Sequence, residues 1–343
     1  MGGGAGVFSF LEEGGWSTNF IRGLIPYHQS QIKSLYDIEP TKIVSLETTV
    51  EIAQKEFRTL KAIFPNNECV AIIANSALAK VEEERAERTN ISYIVIHSDK
   101  QLEALTLRHT HKNREKQERE LEFVLRNIIK GREDCLPQKT IYTISDNEYN
   151  LWGKEPFTTQ ELPHNSIIFP GSFNPFHEGH LDAIKVVNAK TGKKVWLELS
   201  IVNISKPPLS YLSFVERKTA LQKVIESHPD LIAGTVFTNR AKISEKHSLL
   251  SNDNRKLIDF VAGFDTIKRL NIEFATLNGE LEDIWMQCCI FENKPTFYVL
   301  HRESSEQDVK LLHRDLVNRC IFLNHTQRCL EEISSTKIRT QNA

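Results

Sequence analysis

Two histidines three residues apart, His177 and His180, close a run of unusual composition: Pro170-Gly171-Ser172-Phe173-Asn174-Pro175-Phe176-His177-Glu178-Gly179-His180. Both imidazoles can face one cleft and donate hydrogen bonds to phosphate oxygens. Gly171 and Gly179 let the backbone approach a ligand closely. A helix starting just after them would add free N–H groups and a positive dipole end, which favour a phosphate. Standing alone, H-x-G-H reads first as a turn with a capping histidine. Zinc fits less well, because H-E-G-H is not H-E-x-x-H and no third ligand is apparent. Near the end of the chain Ser334, Ser335 and Thr336 precede Lys337 and Arg339. Capping hydroxyls followed by basic residues suit a triphosphate tail, and equally suit the plain start of a last helix.

The elements that must carry these residues read as alternating strands and helices. Strand candidates are Ser166–Phe169, Val195–Val202, Leu257–Val261, Thr296–Leu300 and Cys320–Leu323, with helices between them at His180–Ala189 and Phe214–Ser227. Such alternation predicts an α/β fold: a doubly wound, Rossmann-like parallel sheet of about five strands with helices on both faces. Ligands bind beyond the carboxyl ends of such strands, near a topological switch point.

The chain has 343 residues, enough for two domains. Pro137, Gly153, Pro156 and Pro163 interrupt the middle, so the division expected is 1–131, a linker at 132–164, and 165–343. In the first half Leu121, Val124, Leu125, Ile128 and Ile129 recur at helical spacing within Lys112–Lys130. The charges of Lys80–Arg88 read as a solvated surface. Forty-three basic against forty-five acidic residues leave a net charge of −2, which excludes a general basic surface for nucleic acid but not a local basic pocket. Six cysteines without a C-x-x-C pair read as reduced thiols and a cytoplasmic protein. No apolar run approaches the ~20 residues that span a bilayer, and MGGGAGVFSFLEEGG lacks the features of a secretory signal. Gly2 to Gly6 do not have G-x-G-x-x-G spacing, and no strand precedes them.

The longer spelling G-S-F-N-P-F-H-E-G-H resembles the signature of the nucleotidylyltransferase superfamily, with Asn174 where most members carry Asp. Ile333-Ser334-Ser335-Thr336-Lys337-Ile338-Arg339 resembles the second phosphate motif of nicotinamide and nicotinate mononucleotide adenylyltransferases. Weaker matches fall between them: Asn203 and Lys206 past the second strand, Arg217 on a helix, Gly263-Phe264-Asp265-Thr266 after Leu257–Val261, and Arg302 at another strand end. Lys206 and Arg217 also read as surface charges, and Asp265 as a helix N-cap. The resemblance covers about 165–340. It implies AMP transfer from ATP, with Mg2+ on the phosphates, to a small phosphorylated acceptor, a pyridine mononucleotide. NAD or deamido-NAD and pyrophosphate would be the products. His177 and His180 would contact the ATP phosphates; Gly171, Ser172, Phe173, Gly263, Asp265 and Thr266 would line the nucleotide site; Ser334, Ser335, Thr336 and Arg339 would hold the terminal phosphates. No protein-held metal is expected. The alternatives are a cytidylyltransferase, a pantetheine-phosphate-type transferase, or a nucleotide sensor without catalysis. An aminoacyl-tRNA synthetase is disfavoured by the missing K-M-S-K-S.

The first half is similar to the CinA carboxy-terminal family, which includes nicotinamide mononucleotide deamidases. Tyr27 matches its tyrosine, Lys33 its basic residue one position late, and Thr48-Thr49-Val50-Glu51-Ile52-Ala53 a second segment. Only Gly2-Gly3-Gly4 answers the family's S-x-T-G-G, without the serine, and Ala74–Leu78 lacks the later glycines and proline. An α/β domain without hydrolytic activity is therefore expected, serving as a scaffold or holding a homo-oligomer together.

Overall fold

The computed structural model describes residues 15, 19–26, 28–40, 42–79, 90–132, 136–137, 139–142, 148, 150–202, 208–252, 255–275, 295–301, 309–312, 314–326 and 338. They gather into two units that divide after Asp146, apart from Ser210–Leu212, which group with the first.

In the first unit, Ser45 caps α2 (Leu46–Ile63) by accepting from Thr48 N–H at 3.1 Å, after a short α1 (Gln29–Tyr36). Four strands follow as an antiparallel meander: β1 (Val70–Ala77), β2 (Ile91–Ser98), β3 (Leu102–Arg108) and β4 (Lys139–Tyr142). Alternation along the strands divides the side chains between two faces. Ala71 packs with Phe57 and Leu60 of α2, and Ile73 with Ile32 and Tyr36 of α1. On the other face Ile72, Ile94 and Leu105 meet Leu121, Val124 and Leu125 of α3 (Arg114–Ile129). That helix lies where the apolar spacing put it. Lys80–Arg88, Tyr27 and Gly2–Gly4 lie outside the described residues.

The stretch expected as a linker is put to use. Lys139–Tyr142 is β4, paired with β3. Beyond the division, Leu162 is 1 % exposed in the second core, and Phe157 N–H donates to Asn239 Oδ1 at 2.8 Å. Prolines broke the helical and strand patterns there without preventing packing.

The second unit holds six parallel strands rather than about five: β5 (Ser166–Pro170), β6 (Val195–Ser200), β7 (Ile232–Thr238), β8 (Ile258–Gly263), β9 (Phe297–His301) and β10 (Cys320–Asn324). Between them run α4 (Glu178–Thr191), α5 (Tyr211–Ser227), α6 (Ile243–Ser251), α7 (Phe264–Ala275) and the single turn α8 (Arg314–Val317). The spatial order β10-β9-β8-β5-β6-β7 is that of a doubly wound Rossmann-like sheet. The winding reverses between β5 and β8, which pair Ser166 with Ile258 and Ile168 with Phe260. Ile168, Phe260, Phe297 and Val299 form the core on which Phe264, Ile267 and Leu270 of α7 pack. Among the described residues no helix is long and apolar enough to cross a membrane.

Candidate functional site

The switch point lies at the carboxyl ends of β5 and β8, and both segments singled out in the sequence leave from there. β5 runs into Gly171 and the histidine turn; β8 ends at Gly263 and passes directly into α7, with Asp265 in its first turn.

The turn is built on aromatic packing. Phe173 is 1 % exposed and adopts a left-handed backbone, φ 43°, rare for a bulky residue. Its ring folds back over Gly171, where a Cβ would stand 2.6 Å from Cε1 and Cζ, so only glycine fits. The Phe173 ring stands edge-on to Phe169 at 5.7 Å and to His180 at 5.2 Å, while Phe176 lies 5.3 Å from His180. Three phenylalanines thus fix one imidazole. Gly171 N–H donates to Glu198 O on β6 at 3.0 Å, tying the turn to the sheet.

His177 is the extended N-cap residue of α4, and His180 lies in its first turn, with the two rings stacked at 3.6 Å. His177 N–H donates to His180 Nδ1 at 3.3 Å. Burial, and then the neighbouring His177, holds His180 down to about 3. His180 is therefore neutral at ordinary pH, with Nδ1 as acceptor and its proton on Nε2. Burial also lowers His177; Glu178 opposes that shift and His325 adds to it. His177 Nδ1 is buried and has no hydrogen-bond partner among the described residues. The capping contact expected of an isolated H-x-G-H is present, made by His180 Nδ1 to the His177 N–H.

Arg217, half-buried on α5, donates from Nη1 to Ser172 O at 3.0 Å, so it joins Gly171, Ser172, Phe173, His177 and His180 at one loop. Gly263, Asp265 and Thr266 belong to the adjacent strand and helix across the switch point; Gly263 and Asp265 are exposed. Asn203, Lys206, Arg302, Ser334, Ser335, Thr336 and Arg339 lie outside the described residues.

Sequence reasoning missed Asp182. It is buried on α4, two residues past His180, and accepts from His325 Nδ1 at 2.7 Å and from Thr326 N–H at 3.0 Å, as well as from the Thr326 hydroxyl. Burial pushes its carboxyl up, but the Thr326 and His325 hydrogen bonds outweigh that and leave it below the usual range. His325 and Thr326 directly follow β10, so the carboxylate clamps the chain beside the histidine turn just before it runs on to the Ser/Thr motif. A carboxylate among Leu181, Ala183 and Ile184 was the available signal, since a buried charge requires partners.

A doubly wound parallel sheet with an H-x-G-H turn at its switch point defines the nucleotidyltransferase class of fold. The cytidylyltransferase-like family model matches residues 168–341, about half of the chain, and the chain belongs to that family. No curated protein matches the chain.

Proposed function

We propose that the second unit transfers AMP from ATP to nicotinamide or nicotinate mononucleotide, forming NAD or deamido-NAD and pyrophosphate. The stacked His177–His180 pair at the amino end of α4 carries this reading. An acceptor phosphate oxygen attacks the α-phosphorus in line; the new O–P bond forms as the bond to the bridging oxygen breaks, and pyrophosphate leaves with the electron pair. Such a transfer needs positioning and charge stabilisation rather than covalent help from the protein. His180 supplies its Nε2–H to a non-bridging oxygen, and His177 and the α4 amino end meet the neighbouring phosphate. Ser334, Ser335, Thr336 and Arg339 hold the β and γ phosphates in this reading; Asn203, Lys206, Arg217 and Arg302 add contacts. Among the described residues no group of three or more His, Cys, Asp or Glu side chains could cage a metal ion. Mg2+ prefers oxygen ligands, so it enters on the substrate's phosphates, and no step here is assigned to it.

The family is equally compatible with a second reading, a cytidylyltransferase or pantetheine-phosphate-type enzyme with CTP or ATP as donor. I-S-S-T-K-I-R supports the mononucleotide branch instead. A sensor without turnover fits less well with an intact histidine pair. The first unit acts as a cytoplasmic scaffold or oligomer contact in this account, following its resemblance to the CinA carboxy-terminal family. The test is pyrophosphate release from ATP and from CTP with either mononucleotide or with phosphopantetheine. Turnover is expected with ATP and a mononucleotide, and His180→Ala should lower it at least ~10²-fold. Near-normal turnover of that variant would sink the role of His180, and turnover only with CTP or phosphopantetheine would replace the acceptor reading.

A further inference from the structure

The Asp182 clamp leaves one of its two partners with a bond unmade. Thr326 commits both of its donors to the carboxylate, the hydroxyl to Oδ1 and the N–H to Oδ2 at 3.0 Å. His325 commits only one nitrogen: Nδ1 lies 2.7 Å from Oδ2, while Nε2 has no hydrogen-bond partner among the described residues. The His325 side chain is nine-tenths buried, at 10 % exposed, yet Nε2 is not one of the sealed unpaired atoms that His177 Nδ1 is, so solvent reaches it. Helical side chains lean toward the amino end of their helix. Asp182, five residues after His177, therefore holds the His325 ring beside the first turn of α4, where His177 and His180 lie. His325 also opposes protonation of His177 across that gap.

With Asp182 ionised, the Nδ1 proton of His325 is fixed toward the carboxylate, and Nε2 is bare in the neutral ring. A phosphate oxygen at Nε2 would require a second proton, making an imidazolium bonded on both edges to an anion. Over its first two turns α4 supplies His177, Glu178, His180 and Asp182 around this ring. The two carboxylates favour that charge and the two imidazoles do not. Beside His325 itself, the described stretch after β10 adds no titratable side chain.

We infer that His325, oriented by Asp182, is a third phosphate-binding imidazole of the site and contacts the pyrophosphate end of the nucleotide. The inference rests on the phosphate reading of the histidine turn and not on the donor or acceptor, since pyrophosphate leaves in every branch of that reading. His180 is assigned to the transferring phosphate. From His325 the chain runs on to Ser334, Ser335 and Thr336, assigned to the β and γ phosphates, so His325 belongs to that end. Asp182 then has two tasks: it clamps the chain at Thr326 and holds the His325 ring with Nε2 facing outward from the carboxylate.

The test titrates inorganic pyrophosphate with Mg2+ into the full-length protein by calorimetry at about pH 8, where a free imidazole is largely neutral. Repeating it in buffers of different ionisation enthalpy counts the protons exchanged. Wild type should bind pyrophosphate and take up a proton. His325→Asn keeps an amide donor for Asp182 near the Nδ1 position and has nothing at Nε2; it should bind at least ~10-fold more weakly, as loss of a charge-assisted hydrogen bond implies, and lose the uptake. His325→Gln, which places a neutral donor near the Nε2 position, should recover part of the affinity and none of the uptake. Thermal melting checks the fold of each variant. Absence of binding or of proton uptake in the wild type overturns the inference whatever the variants do. Unchanged affinity in a folded His325→Asn protein also overturns it and leaves Asp182 as a clamp alone. Binding that depends on His325, in a protein that transfers no AMP to either mononucleotide, upholds the inference and overturns the acceptor reading instead.

Discussion

Gly171→Ala places a single methyl group where the structure has no room. The new Cβ would lie 2.6 Å from Phe173 Cε1 and Cζ and 2.9 Å from Cε2, whereas ordinary contacts begin near 3.4 Å. The ring would have to retreat by most of an ångström, and it is enclosed by Phe169, Phe176 and His180. Overpacking of this kind costs about 1–3 kcal/mol. Any yielding passes to the His180 ring, and under the role proposed for His180 a displacement near 1 Å should cost about 10²-fold in rate. Denaturant unfolding gives the first quantity and pyrophosphate release the second. Phe173→Leu removes the obstructing ring, so the cost of Gly171→Ala should drop below about 0.5 kcal/mol in that background. The coupling in the double-mutant cycle should be about 1–2 kcal/mol. Equal costs of Gly171→Ala in both backgrounds would refute the steric account.

Buried neutral histidines should make the protein acid-sensitive. His97, His180 and His247 are held by burial to about 4, 3 and 4 against an ordinary 6.5, with His177 adding to the effect at His180 and Arg319 at His247. The unfolded chain therefore binds protons that the folded one does not. This stability is fully present above pH 6.5 and lost as pH falls toward 4, about 2 kcal/mol for each group by pH 4.5. Denaturant midpoints that match at pH 7 and pH 4.5 would contradict this. Asp182→Asn should loosen the chain after β10 and raise the KM for ATP by about tenfold, with a smaller effect on kcat, as weakened charge-assisted hydrogen bonds of roughly 1–2 kcal/mol imply; an unchanged KM would separate the clamp from nucleotide binding. Lys246 Nζ lies 2.8 Å from Glu198 Oε2, and the Glu198 side chain has no exposed surface. Lys246→Met should cost about 3–5 kcal/mol in urea unfolding by stranding that carboxylate, and adding Glu198→Gln should recover part of it; a single-variant loss under about 1 kcal/mol would argue against the pair's role.

Much of the second unit was legible because its central strands are short aliphatic runs, as strands covered on both faces must be. β7 was not, since IAGTVFT carries Gly234 and two threonines. The structure accounts for the glycine: a Cβ at 234 would meet Trp196 Cζ3 at 2.8 Å, so the residue that disguises the strand is the one its neighbour on β6 requires. The histidine turn was legible because His177, Gly179 and His180 act within a few residues of one another. Asp182 with His325 was not. The two residues come from separate elements, and only helix packing brings them within hydrogen-bonding distance.

The central place of β5 also shapes how the second sheet can be made. β5 is the first of its strands in the chain, yet one of its two edges is filled by β8, about ninety residues later. At the ~5–20 residues per second of synthesis, that edge stays unpaired for roughly five to twenty seconds after β5 is made. Ser166–Pro170, with Ile167 and Ile168 at its centre, then presents open backbone donors and acceptors to any other extended chain. The strand that carries the histidine turn thus passes this interval with one backbone edge open, a period of synthesis in which mispairing with another extended chain is available to it.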